Sequence, residues 1–275
     1  MDILAYLTGF YRIKDWVHLL GLGFIGLSYS SPFPPDDGAI LACGIVSSLY
    51  LAFGYSSNTL FEEHMGKSLG CRQLLLSMLP AAVGLAFSYH LSPPLAFLYS
   101  IGVLFGILYS APPVMAKGMP VIELFFNSLL FTLIFLFGVV LGGGSASSDV
   151  LFFSAFIFIM VIPFQLVQEL TDMDHDASKG IKTTAVHMTP KAVRLMMVAA
   201  ILVILLFSVV MPPWVGLDWR FTVATILFGL SFLPSTRMPS ASGNADYGRL
   251  RIGLRYAGIA YGLLLVLLLS IKQGF

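Results

Sequence analysis

Four of the 14 acidic residues in this chain, Glu169, Asp172, Asp174 and Asp176, fall within eight consecutive positions, directly after the apolar run 151–166. If the helix predicted by that run continues through them, Glu169, Asp172 and Asp176 stand at i, i+3 and i+7 on one face, while Asp174 points elsewhere. Carboxylates this close repel unless a cation lies between them, and acids at a helix C-terminus oppose the macrodipole. The chemistry such a face offers is oxygen ligation of a hard divalent cation. Gly180 follows, able to end the helix, and then Thr183. A lighter constellation lies earlier, in Asn58-Thr-Leu-Phe-Glu62-Glu63-His64-Met-Gly66-Lys67. Asn58 and Glu62 are i, i+4 neighbours, so a helix end presents an amide oxygen and a carboxylate together. The plainer reading is that Glu62 and Glu63 solvate a loop.

The elements that must position these groups are membrane helices. Hydrophobic residues make up 57% of the chain, charged residues 11%, and the mean hydropathy is +0.89; a soluble domain carries roughly 25% charge. Apolar stretches long enough to cross a bilayer occur at 15–31, 38–56, 72–90, 94–110, 120–141, 150–170, 192–211, 219–234 and 252–271, which predicts nine spans in one all-α domain covering 1–275. Proline-rich or glycine-rich punctuation separates them, as at Ser92-Pro93-Pro94 and Met211-Pro212-Pro213. The eighth is short and ends at Pro234. With the N-terminus cytoplasmic, 13 of the 15 basic residues fall on the cytoplasmic side, leaving only Arg220 and Lys272 outside. That bias favours this orientation and puts both polar stretches on the cytoplasmic side of a multi-pass cell-membrane protein.

The rest of the chain is expected to be supporting structure. Residues 3–11 predict an interfacial helix, 235–248 a linker, and Arg249, Arg251 and Arg255 an interfacial anchor with an affinity for anionic lipid. No cleavable signal is expected, because Asp2 replaces a basic leader. Cys43 and Cys71 read as packing residues. His18, His64, His90, His175 and His187 lack a metal-ligand spacing, which argues against zinc. No nucleic-acid patch is visible.

The two polar stretches together resemble the UbiA superfamily of intramembrane prenyltransferases, which carry Asn-x-x-x-Asp-x-x-x-Asp after the second helix and Asp-x-x-x-Asp after the sixth. Asp172 and Asp176 match the second motif, Glu169 stands where many members have another acid, and Gly180 and Thr183 fit its continuation. Asn58 matches the first motif and Glu62 takes its first Asp; Gly66 occupies the position of its second. Tyr109-Ser-Ala-Pro-Pro-Val-Met-Ala-Lys117 is similar to the family's loop after the fourth helix, and Arg12-x-Lys14-Asp-Trp16 resembles its entry to the first.

The resemblance implies two related halves around a central cavity. It further implies Mg²⁺ as cofactor, with metal ligands drawn from Asp172, Asp176, Asn58, Glu62 and Glu169. Asp172, Asp176, Asn58 and Glu62 would be the catalytic set, and Lys117, Tyr109, Arg12, Arg72, Lys179 and Lys182 the substrate-binding set. The implied reaction moves an isoprenoid chain from a prenyl diphosphate to a lipophilic acceptor, which is a quinone precursor, an ether lipid or a polyene. For Arg12, Arg72, Lys179 and Lys182, ordinary cytoplasmic-side charge is an equal reading. The alternatives are a weakened relative that binds prenyl lipids or partner helices, and a transporter, which would place its carboxylates nearer mid-helix.

Overall fold

A computed structural model describes residues 3–63, 70–237 and 244–272. His64, Gly66 and Lys67 lie outside the described residues. All regular structure among the described residues is helical: α1 (Ile3–Phe10), α2 (Ile13–Trp16), α3 (Leu20–Ser30), α4 (Asp37–Glu63), α5 (Cys71–Leu91), α6 (Pro93–Ser110), α7 (Ile122–Leu141), α8 (Ser148–Ser178), α9 (Thr184–His187), α10 (Pro190–Val215), α11 (Trp219–Leu230), α12 (Leu233–Arg237) and α13 (Asn244–Lys272), with 3₁₀ turns at Val17–Leu19 and Ala116–Gly118. A helix occurs in each of the nine predicted segments, and among the described residues seven helices are long and apolar enough to cross a membrane.

The two that fall short are α3, with 11 residues, and α11, with 12. α3 stops at Ser31, whose extended backbone is what the following Pro32 demands. α11 stops at Leu230, and Pro234 sits in the first turn of the short helix after it, where a missing N–H costs nothing. The last helix departs from expectation in the other direction. It starts at Asn244 rather than near 252, because the polar stretch before its apolar run supplies Asp246 for its first turn.

Two compact units divide the chain: Met1–Ala116 with Leu133–Gly144, and Lys117–Thr132 with Ser145–Phe275. In the first, α4 packs on α3, α5 and α6. Small residues permit the close approaches. A Cβ on Gly26 would lie 1.9 Å from the carbonyl oxygen of Phe135, and one on Gly138 would lie 1.9 Å from that of Gly23. Hence α3 and the second part of α7 meet backbone to backbone, the way membrane helices gain dispersion energy when no hydrophobic drive is available. Buried hydroxyls add to the contact: Ser56 Oγ and Ser77 Oγ are 3.2 Å apart between α4 and α5.

In the second unit α8 is the central element, packed on α9, α10 and α13. Phe153 and Phe156 stack edge-on inside it, with Phe221 beside them. Thr225 and Tyr261 share a hydrogen bond of 2.6 Å between α11 and α13. Ser92 and Thr189 each cap a helix that then begins with proline, accepting from Leu95 N and Ala192 N at 3.3 Å.

Candidate active site

The acidic face sits at the end of α8, which runs unbroken from its apolar stretch through all four acids. Helical periodicity sorts them as the spacing predicts. Glu169 and Asp176 are buried, Asp172 is partly exposed, and Asp174 and His175 are exposed. The helix ends where Gly180 takes φ 72°, and Ile181 N donates back to Asp176 O at 2.9 Å, with Ile181 buried behind it.

Each acid of the Asp172/Asp176 pair has a protein cation beside it. Lys117, in the 3₁₀ turn before α7, brings Nζ to 4.0 Å from Asp176 Oδ1. Arg251, from the first turns of α13, brings Nη1 to 3.5 Å from Asp172 Oδ1. The side chains of Lys117 and Asp176 are only 14% and 5% exposed, so little water screens the pair.

Beneath this face lies a buried polar brace. Glu123, on the first turn of α7, is fully buried and accepts from both the backbone N–H and the hydroxyl of Thr184, the latter at 2.8 Å. Thr184 Oγ1 also accepts from Val121 N at 2.8 Å. The Glu169 carboxyl lies next to that of Glu123. Its Oε2 accepts from Ala185 N at 3.2 Å and its Oε1 from Gln165 Nε2 at 3.3 Å, while Gln165 Oε1 accepts from Asn127. The start of α7, the end of α8 and the turn into α9 are thereby tied together, and the loop that bears Lys117 leads directly into the first of them. Glu169, expected among the metal ligands, has both carboxylate oxygens engaged by this brace.

The first unit holds the other predicted residues. Near the end of α4, Asn58 is half-buried, and its Oδ1 is shut off from solvent with no hydrogen-bond partner among the described residues. Glu62 follows one turn later. Arg12 stacks over Tyr55, its guanidinium carbon 5.5 Å from the ring centroid, and pairs with Asp15 at 2.9 Å. Burial opposes its charge, but the Asp15 hydrogen bond and the charges of Asp15, Tyr55 and Glu62 outweigh it and hold the Arg12 pKa above its ordinary value. Arg12, Tyr55 and Glu62 therefore form one electrostatic neighbourhood. Arg72 is exposed on the first turn of α5, and Tyr109 is half-buried near the end of α6. In the second unit Lys182 is exposed and Lys179, the C-cap of α8, is partly buried.

The structure thus brings Lys117 to Asp176 and sets Arg12 in the field of Glu62. It also brings in residues outside the predicted site, namely Glu123, Gln165 and Asn127 in the brace and, beside Asp172, Arg251 of the expected interfacial anchor. One signal was available. Glu123 and Asn127 are polar residues one turn apart at the head of a predominantly apolar helix, a placement that is costly in a bilayer unless they are partnered.

Among the described residues no three His, Cys, Asp or Glu side chains are grouped so as to hold a metal unaided. Magnesium does not require that; it is commonly held by one or two carboxylates, with substrate phosphates and water completing six oxygen ligands. Asp172 and Asp176 fit that demand. So does Asn58, whose buried orphan Oδ1 is a hard donor lacking the partner that a buried polar atom ordinarily has.

The UbiA prenyltransferase family model matches residues 71–246. Curated protein sequences give no match. Among solved structures, a UbiA homologue from Archaeoglobus fulgidus bound to DMAPP and Mg²⁺ superposes with a TM-score of 0.73 at 18% identity, over 94% of this chain and 98% of the other. A UbiA homologue from Aeropyrum pernix K1 gives 0.68 at 17%, over 94% and 99%. Digeranylgeranylglyceryl phosphate synthase gives 0.72 at 17%, over 98% and 100%. At these identities the likeness shows the fold.

Proposed function

Because the chain belongs to the UbiA prenyltransferase family, we propose that it transfers an isoprenoid chain from a prenyl diphosphate to a lipophilic acceptor within the membrane, releasing pyrophosphate. The observation that carries this reading is the Asp172/Asp176 pair on one face of the end of α8, with the half-buried Lys117 at the buried Asp176. Homologues solved with DMAPP and Mg²⁺, and with GPP and Mg²⁺, support the substrate class.

In this proposal the whole chain works as one catalytic domain of nine spans in two related halves, with its N-terminus and active site on the cytoplasmic side. Asp172 and Asp176 hold Mg²⁺, and Asn58 and Glu62 supply further oxygen donors. Glu169 acts with Glu123 as a brace that fixes the acidic helix end. Bound magnesium would neutralise the charge that grows on the leaving diphosphate. Lys117 adds a charge-assisted hydrogen bond to the diphosphate, with Arg12, Arg72, Lys179 and Lys182 as further cations. Departure of pyrophosphate leaves an allylic cation, to which Tyr109 offers an aromatic face. Low hydration around the apolar chain keeps water from capturing it.

Incubating the reconstituted protein with a prenyl diphosphate, with Mg²⁺ or with EDTA, tests this directly. Pyrophosphate release that requires both Mg²⁺ and a lipid extract is expected, and mass spectrometry of the extract would then separate quinone precursor, ether lipid and polyene products. Gly66, where the first motif has its second Asp, favours one other reading: a relative that binds prenyl lipids or partner helices without turnover. Prenyl diphosphate binding with no release across the acceptor panel would select it.

A further inference from the structure

Three arginines, Arg249, Arg251 and Arg255, lead α13 into its apolar run, and composition alone makes them one interfacial anchor. Their surroundings differ. Arg249 is 80% exposed, with its guanidinium 2.5 Å from Asp246 on its own helix. Arg251 turns toward α8; its side chain is 20% exposed and Nη1 lies 3.5 Å from Asp172 Oδ1. A residue whose only task was to meet lipid headgroups would not be drawn in against the acidic face.

Two carboxylates on one helical face need counter-charge at all times, not only when a metal is bound. Lys117 supplies it at Asp176 and Arg251 at Asp172. A divalent cation arriving at Asp172 must compete with that guanidinium. The displaced guanidinium carries a planar fork of donors that matches phosphate oxygens, and a diphosphate brought to Asp172 would meet it there. Resting on the reading given under Proposed function, we propose that Arg251 is a diphosphate-binding residue that holds Asp172 before the metal arrives and passes to the substrate's phosphate oxygens once it does.

This exchange predicts that pyrophosphate affinity falls while metal affinity does not, a split that neither an anchoring nor a merely structural role would produce. With Mn²⁺ as a spectroscopic probe for the same oxygen ligands, Arg251→Ala in the full-length protein should bind the metal alone at least as tightly as wild type, because the competing cation is gone. Inorganic pyrophosphate added with the metal should bind it about tenfold or more weakly, on the scale of one lost charged hydrogen bond. Arg251→Lys, which keeps a cation and is the safer variant for folding, should regain part of the pyrophosphate affinity. Arg249→Ala should match wild type in both assays. Equal pyrophosphate binding by wild type and both Arg251 variants would overturn the proposal. If wild type itself bound no metal with pyrophosphate, the reading of the site as a whole would fail instead.

Discussion

Thr184 donates its hydroxyl to Glu123 Oε1 at 2.8 Å, across 61 positions of sequence, and its backbone N–H goes to the same oxygen. One buried carboxylate oxygen thus receives two donors from the turn that follows the acidic helix end. Removing it strands both. Glu123→Ala is expected to lower stability by about 2 to 4 kcal/mol, the cost of unpaired buried polar groups, whereas Glu123→Gln, which keeps an acceptor, should lose less than half of that. Unfolding of the purified protein in detergent, followed by circular dichroism, measures the difference.

The opposite balance is expected at Asn58. Its Oδ1 is buried without a hydrogen-bond partner among the described residues, so the fold gains little from it. Asn58→Ala should unfold within about 0.5 kcal/mol of wild type and yet release pyrophosphate roughly tenfold or more slowly. A large loss of stability with normal turnover would make Asn58 a packing residue.

Much of this division between fold and site was legible in the sequence. Period 3.6 placed Glu169, Asp172 and Asp176 on one face and Asp174 off it, and the structure keeps that sorting. Gly180 marked the end of α8 because only a residue at ease with positive φ could turn the chain there. The partners of Arg251 and Glu123 were opaque for a common reason. Each meets a partner far along the chain, and periodicity reports which residues share a face, not which helix covers that face. The short α3 was hidden as well, since hydropathy registers apolar length without registering where Ser31 and Pro32 force the backbone out of the helix.

Lys117 should act on substrate as well as on Asp176. Its ammonium faces the buried Asp176, and Lys117→Ala is expected to weaken prenyl diphosphate binding about tenfold to 100-fold, the scale of one charge-assisted contact. Titration of a fluorescent prenyl diphosphate analogue checks this, with Arg220→Ala, at an exposed position outside the proposed site, as the comparison expected to leave binding unchanged.

The close approach of α3 to α7 gives a prediction far from the chemistry. A methyl on Gly138 would sit 1.9 Å from the Gly23 carbonyl oxygen, where only backbone could yield. Gly138→Ala should therefore destabilise by about 1 to 3 kcal/mol or more, seen as a lowered melting temperature. Gly54→Ala, with open space around its Cβ, should leave it unchanged or slightly raised.

Release of pyrophosphate by Asp172→Asn tests the central claim most directly. Asparagine keeps the shape and one oxygen while removing the charge that would hold magnesium. Reconstituted at wild-type level and with an unchanged melting temperature, the variant should release pyrophosphate from a prenyl diphosphate roughly 100-fold or more slowly than wild type at saturating Mg²⁺. Turnover equal to wild type, with the same dependence on Mg²⁺, would contradict the account.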